Sequence, residues 1–124
     1  MTEINEVIYL IVEKLLALSK LNSNGYSVTV NDVFDEGKSS MPGIIGKYSF
    51  TDISTGNKLK IVIFGTRSSN SFLISEIEVL NRDGTLEHYR KGEFYSSSLL
   101  QKLEEVRDML DKLLGQEKSP AQAH

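Results

Sequence analysis

The chain has 124 residues, with 40% hydrophobic, 25% charged and 8% aromatic side chains, no Cys and a formal net charge of −3, values ordinary for one soluble globular domain. The lack of Cys excludes thiolate nucleophiles, disulfide frameworks and Cys-ligated zinc or iron–sulfur centres. His88 and His124 are the only imidazoles, too few for a multi-His metal site or a His-assisted triad.

At this length folding buries roughly two thirds of the unfolded chain's surface, enough for a core without staples. The start at Met1 lacks the basic and long apolar regions of a secretory signal, and no apolar stretch reaches about 18 residues. A cytoplasmic protein that does not insert into a membrane is the expectation.

In chain order, Ile4, Ile8, Ile11, Leu15 and Leu18 recur at spacings of four and three, predicting a helix over 3–21 with Thr2 as N-cap and 22–25 as the stop. Val7, Leu10 and Leu21 widen its apolar arc, so the helix should be covered on more than one side. The period then changes to two, with turn residues at 24–25, 37–46, 55–57, 65–71 and 82–84. Five strands are predicted, at about 26–34, 47–53, 58–65, 71–80 and 85–91, and the short links favour an antiparallel meander. Ser98 and Gln101 match a capping box, and Leu99, Leu103, Val106, Leu110 and Leu113 define a second amphipathic helix up to Gly115. The fold class is therefore α+β: N-terminal helix, five-stranded antiparallel meander sheet, C-terminal helix. Residues 1–115 form a single domain, and 116–124 are expected as a flexible tail.

Registers follow from pairing like with like, because a slip of one residue turns every side chain to the other face. A three-residue loop at Thr55-Gly56-Asn57 sets Ile53 against Leu59, Asp52 against Lys60, Phe50 against Val62 and Tyr48 against Phe64. The next hairpin sets Phe64 against Phe72, Val62 against Ile74, Lys60 against Glu76 and Lys58 against Glu78. The last, with Gly84 supplying the left-handed residue, sets Glu78 against His88, Ile77 against Tyr89 and Glu76 against Arg90. One face then carries Ile53, Leu59, Ile61, Ile63, Leu73, Ile77 and Val79 and should lie under a helix. The other has an aromatic end (Tyr48, Phe50, Val62, Phe64, Phe72, Ile74) and a charged ladder (Asp52, Lys58, Lys60, Glu76, Glu78, His88, Arg90). Strand one's place in the sheet, and closure into a barrel, are left open.

The block from Lys38 to Arg67 holds five bases (Lys38, Lys47, Lys58, Lys60, Arg67) and one acid (Asp52), a net of +4, which invites an anionic partner. The register neutralises much of it, since phosphate affinity needs unpaired cations. Gly43-Ile44-Ile45-Gly46-Lys47 fails as a Walker loop, with Met41 and Tyr48 where Gly and Ser or Thr are needed. It also fails as a KH-type loop, because its variable pair is apolar. Asp32, Asp35 and Glu36 lack the alternation of a calcium loop. Glu76, Glu78 and His88 sit on an exposed ladder without the desolvation that tunes a catalytic group. Ser96-Ser97-Ser98 has no accompanying base.

No catalytic, metal or cofactor site is therefore expected. The leading functional expectation is a non-enzymatic protein-interaction module, such as an adaptor, inhibitor or assembly subunit, acting as a homo-oligomer, with a homodimer the simplest form. Its partner-binding residues would be Met41, Ile44, Ile45, Tyr48, Phe50, Phe64 and Phe72, because apolar surface without a cover marks a partner site. The alternative is nucleic-acid or small-anion binding by Lys38, Lys47 and Arg67, in the Lys38–Lys47 and Gly65–Ser71 loops. A carboxylate-based hydrolase or transferase is third and requires a buried acid.

Overall fold

The computed structural model describes residues 4–21, 25–35, 43–64, 73–84 and 86–118, with the backbone alone at 32–35, 43–45, 117 and 118. Element order is α1 (Ile4–Leu18), β1 (Tyr26–Asp35), β2 (Gly43–Asp52), β3 (Lys58–Phe64), β4 (Leu73–Leu80), β5 (Leu86–Arg90) and α2 (Ser97–Lys118). The strands form one antiparallel sheet in the order β1-β2-β3-β4-β5, so the meander is open and strand one is an edge. Strand two is longer at its start than its sequence pattern suggests, beginning at Gly43.

Both helices pack on one face of the sheet. α1 lies over β1 and β2 and against α2, which lies beside β5. Ile4, Val7, Ile8, Ile11, Val12, Leu15 and Leu18 of α1 are all buried, matching the broad arc of a helix held between a sheet and a second helix. Leu99, Leu103 and Leu110 supply the α2 stripe. The apolar stripe of α2 is thus part of the core.

α2 starts on Ser96, whose Oγ accepts the Leu99 N–H at 3.1 Å. That corrects the expected cap at Ser98, whose hydroxyl instead donates to Glu87 Oε1 at 3.0 Å. The helix runs through Gly115 to Lys118, past the expected stop, because an exposed glycine lowers helix propensity without breaking the hydrogen-bond ladder.

The β4–β5 register is as expected, with Glu78 against His88, Ile77 against Tyr89 and Glu76 against Arg90. Gly84 has φ +89°, the conformation that only glycine adopts without strain.

The β2–β3 register differs by three residues, with Phe50 against Leu59, Tyr48 against Ile61 and Lys47 against Val62. The cause is the turn. Asp52 N–H donates to Asn57 O at 2.9 Å and Gly56 N–H to Asp52 O at 2.7 Å, leaving Ile53 through Gly56 as the loop. Asp52 Oδ1 accepts from Ser54 N at 3.0 Å, Ser54 Oγ at 2.8 Å and Thr55 N at 3.3 Å, an Asx turn that takes Asp52 out of any ladder with Lys60. An odd shift exchanges faces. Tyr48 and Phe50, expected on the uncovered face, are therefore 1% and 2% exposed beneath the helices, and Ile53, expected in the core, is a turn residue at 59% exposure.

A second correction lies between β3 and β4. Lys60 faces Glu78, Lys58 faces Leu80 and Val62 faces Glu76, and beyond a bulge Ile63 faces Ile74 and Phe64 faces Leu73. The bulge leaves Ser75 as the extra residue. It turns Ile74 into the core and Leu73 out of it, the reverse of the expected faces, because one inserted residue inverts the alternation beyond it.

Candidate interaction surface

With both helices on one side, the opposite face of the sheet carries no layer among the described residues. Strand pairing resolves it into rows, since directly paired residues share a face. At one end lie Ile45, Phe64 and Leu73; next come Lys47, Val62, Glu76 and Arg90, then Ser49, Lys60, Glu78 and His88, and at the far end Thr51, Lys58, Leu80 and Leu86.

The middle rows form the charged ladder. Lys60 Nζ is 3.5 Å from Glu76 Oε1, and Arg90 reaches Glu76 and Glu78 at 4.0 Å each. These ion pairs are exposed enough that each contributes about 0–1 kcal/mol. Lys47 and Lys58 have no ion pair among the described residues. Four cations (Lys47, Lys58, Lys60, Arg90) against Glu76 and Glu78 give this face a net +2 on a chain of net charge −3.

Of the aromatic patch expected on this face, Tyr48, Phe50 and Ile74 lie in the core instead. Phe64 is at the apolar end and half-buried. Leu73, expected inside, is 55% exposed beside it. Ile45 occupies the paired position on β2, and Ile44 lies in the same strand opposite Phe34. Tyr48 and Phe50 have no access to a partner. Met41 and Phe72 lie outside the described residues, as do Lys38 and Arg67 of the expected anion site; Lys47 is exposed on the open face.

Phe94, absent from the expected site, is the most exposed large apolar residue described, at 99%. It sits in the β5–α2 connection, which a set of local contacts holds in shape. Glu93 Oε1 accepts the Arg90 N–H at 2.7 Å, Glu93 N–H donates to Arg90 O at 2.9 Å, Gly92 has φ +98°, and the Tyr95 ring lies 4.5 Å from that of Tyr89. The phenylalanine is thus displayed on a built turn at the end of the sheet where Leu73 lies, since β5 runs antiparallel to β4 and ends near its start. Its sequence signal is an aromatic pair, Phe94-Tyr95, with no place in either the strand or the helix pattern.

Among the described residues no charged or polar side chain is buried, so the buried acid that a carboxylate-based enzyme needs is not among them. The Asp52 carboxyl is moved from its usual range. Burial pushes it up, but the hydrogen bonds from Ser54 and Thr55 outweigh that and hold it below the ordinary value, as suits a turn carboxylate. A small cleft of about 60 Å³ opens between α2 and the sheet, lined mainly by Phe50, Leu59, Val79, Leu80, Val106 and Met109. Its size is well under the roughly 300 Å³ at which small-molecule pockets begin. Among the described residues no helix is long and apolar enough to cross a membrane. No family model, curated protein or solved structure matches the chain.

Proposed function

We propose that this chain is a cytoplasmic, non-enzymatic protein-interaction module that self-associates and docks a protein partner on the apolar end of its open sheet face. The observation that carries the reading is the exposure of two large apolar side chains, Leu73 at 55% on the helix-free face and Phe94 at 99% in the connection that leaves the sheet at the same end. An exposed aromatic on a hydrogen-bonded turn has the character of a binding hot spot, where a few residues supply most of the energy. The turn around Phe94 lowers the ordering cost of binding.

The test is a pull-down from the native cell with wild type and with the Phe94→Ala/Leu73→Ser double variant, each with and without nuclease. The expected result is a nuclease-resistant protein band that the double variant loses. Equal capture by both proteins rejects the surface.

The second reading is an anionic partner on the same face, favoured by its net charge of +2 against the chain's −3. It requires nuclease-sensitive capture and affinity that falls steeply with salt.

A further inference from the structure

The two edges of the sheet are finished differently. β5 has five residues, three of them acidic or basic (Glu87, His88, Arg90). Lys91 N–H donates to Ser75 O, so the odd-numbered residues of β5 face β4 and the even-numbered ones face outward. The outward Arg90 N–H is already taken by Glu93 Oε1 at 2.7 Å. A short, charged edge with a blocked donor is how proteins discourage further pairing.

β1 has none of these devices in its first six residues. It spans ten residues, with no charge and no proline from Tyr26 to Asn31. Ile53 N–H donates to Gly25 O at 3.0 Å, which makes Gly25, Ser27, Thr29 and Asn31 the residues bonded to β2. The N–H and C=O groups of Val28 and Val30 therefore point away from the sheet.

Apolar side chains along the same border are incompletely covered. Val28 and Val30, on the inner face of β1, are only partly buried, and so are Tyr9 and Leu16 of α1. Lys14 Nζ reaches Asp111 of α2 at 3.6 Å, which fixes the α1 flank facing α2. Tyr9 and Leu16 are seven residues apart, on one line of the helix, and at about 100° per residue that line lies roughly 140–160° from Lys14. The partly covered flank of α1 and the partly covered valines of β1 thus lie along the sheet border away from α2.

We propose that this border is the self-association interface: β1 pairs antiparallel with β1 of a second copy about a two-fold axis through Thr29, giving a ten-stranded sheet with all four helices on one face. The proposal rests on the self-association named above and specifies where it occurs. Outward main-chain groups at alternate residues are matched by another strand. A second β1 satisfies them with Val28 against Val30 of the partner copy on the inner face, and with Ser27 against Asn31 and Thr29 against itself on the outer face. No charged pair falls in that span. Centring one residue later sets Val28 against Asp32, and one residue earlier shortens the ladder, so Thr29 is the preferred axis. Tyr9 and Leu16 from both copies then close over the junction. The open face of each copy stays free, so the dimer presents its partner site twice.

The test uses the full chain, which has no native thiol. Thr29 is exposed in the monomer, and across the axis it forms a non-hydrogen-bonded pair with Cα atoms about 4.5 Å apart, inside disulfide range. Thr29→Cys is expected to give a covalent dimer under mild oxidation, while Thr51→Cys, on the same face of β2, gives none. Thr29→Lys sets two cations against each other and is expected to shift sedimentation equilibrium to monomer. Wild type that is monomeric at every concentration overturns both this interface and self-association. A dimer that survives Thr29→Lys while Thr29→Cys fails to cross-link overturns the interface alone. Should Thr29→Lys fail to fold, the cross-linking pair decides by itself.

Discussion

The ring of Tyr48 lies over Gly46, two residues earlier on the inward side of β2: a Cβ added at Gly46 would stand 2.6 Å from Tyr48 Cε2. Tyr48 is among the most deeply buried side chains, so its ring cannot shift without disturbing the neighbours packed on it. Gly46→Ala is therefore expected to destabilise the fold by about 1–3 kcal/mol, the usual cost of overpacking a core. Urea denaturation measures it as a lower midpoint at unchanged slope. An unchanged midpoint would show that the ring is not packed on this glycine.

Asp52 gives a pH dependence with a definite sign. Its folded-state pKa lies below the ordinary carboxyl value because the Ser54 and Thr55 hydrogen bonds outweigh the opposing effect of burial. A depressed pKa means that the stabilisation is present in full above the unfolded-state value of about 3.9 and is lost as pH falls through the lower folded-state value. Asp52→Asn is expected to be less stable than wild type at pH 6, with the gap closing below pH 4. A gap independent of pH would assign the effect to shape rather than charge.

The start of α2 separates two neighbouring serines. Ser96→Ala removes the acceptor for the Leu99 N–H and is expected to cost about 1 kcal/mol. Ser98→Ala removes only an exposed hydroxyl contact with Glu87 and should stay within about 0.5 kcal/mol of wild type. Equal losses in thermal unfolding would return the cap to Ser98.

Stability and recognition should come apart at two large apolar residues. Ile8→Ala opens a cavity at the centre of the core and is expected to cost about 2–5 kcal/mol. Phe94→Ala buries and exposes almost nothing and is expected to shift stability by less than about 0.5 kcal/mol, while weakening partner capture. A large loss of stability in Phe94→Ala would make the residue structural.

The ladder on the open face should be sensitive to salt. Glu76 is within 4.0 Å of both Lys60 and Arg90, so Glu76→Gln is expected to cost no more than about 1 kcal/mol in dilute buffer. At 1 M salt, where charge interactions are screened within about 3 Å, most of that difference should vanish. A loss that persists in high salt would point to packing.

The amino-acid sequence alone determined the kind of fold: helix, five-stranded antiparallel meander, helix. Periods of 3.6 and 2 are local, so Ile4 through Leu18 and the leucines of α2 declare their buried stripes wherever they pack. The β4–β5 register was also legible, because Gly84 at φ +89° marks the hairpin turn and opposite charges mark the pairs.

Only the tertiary structure decided which face each side chain takes in β2 and at the start of β4. Asp52 suits a ladder opposite Lys60 and an Asx turn equally well by composition. The turn was chosen by hydrogen bonds to Ser54 and Thr55 that pattern does not weigh. The resulting shift of three, with the bulge at Ser75, moved Tyr48 and Phe50 into the core and Leu73 out of it. The place of β1 in the sheet and the position of both helices on one face were likewise outside any local signal. They made β1 an edge and left Phe94 exposed, because a surface becomes a surface only when every other element has taken its place.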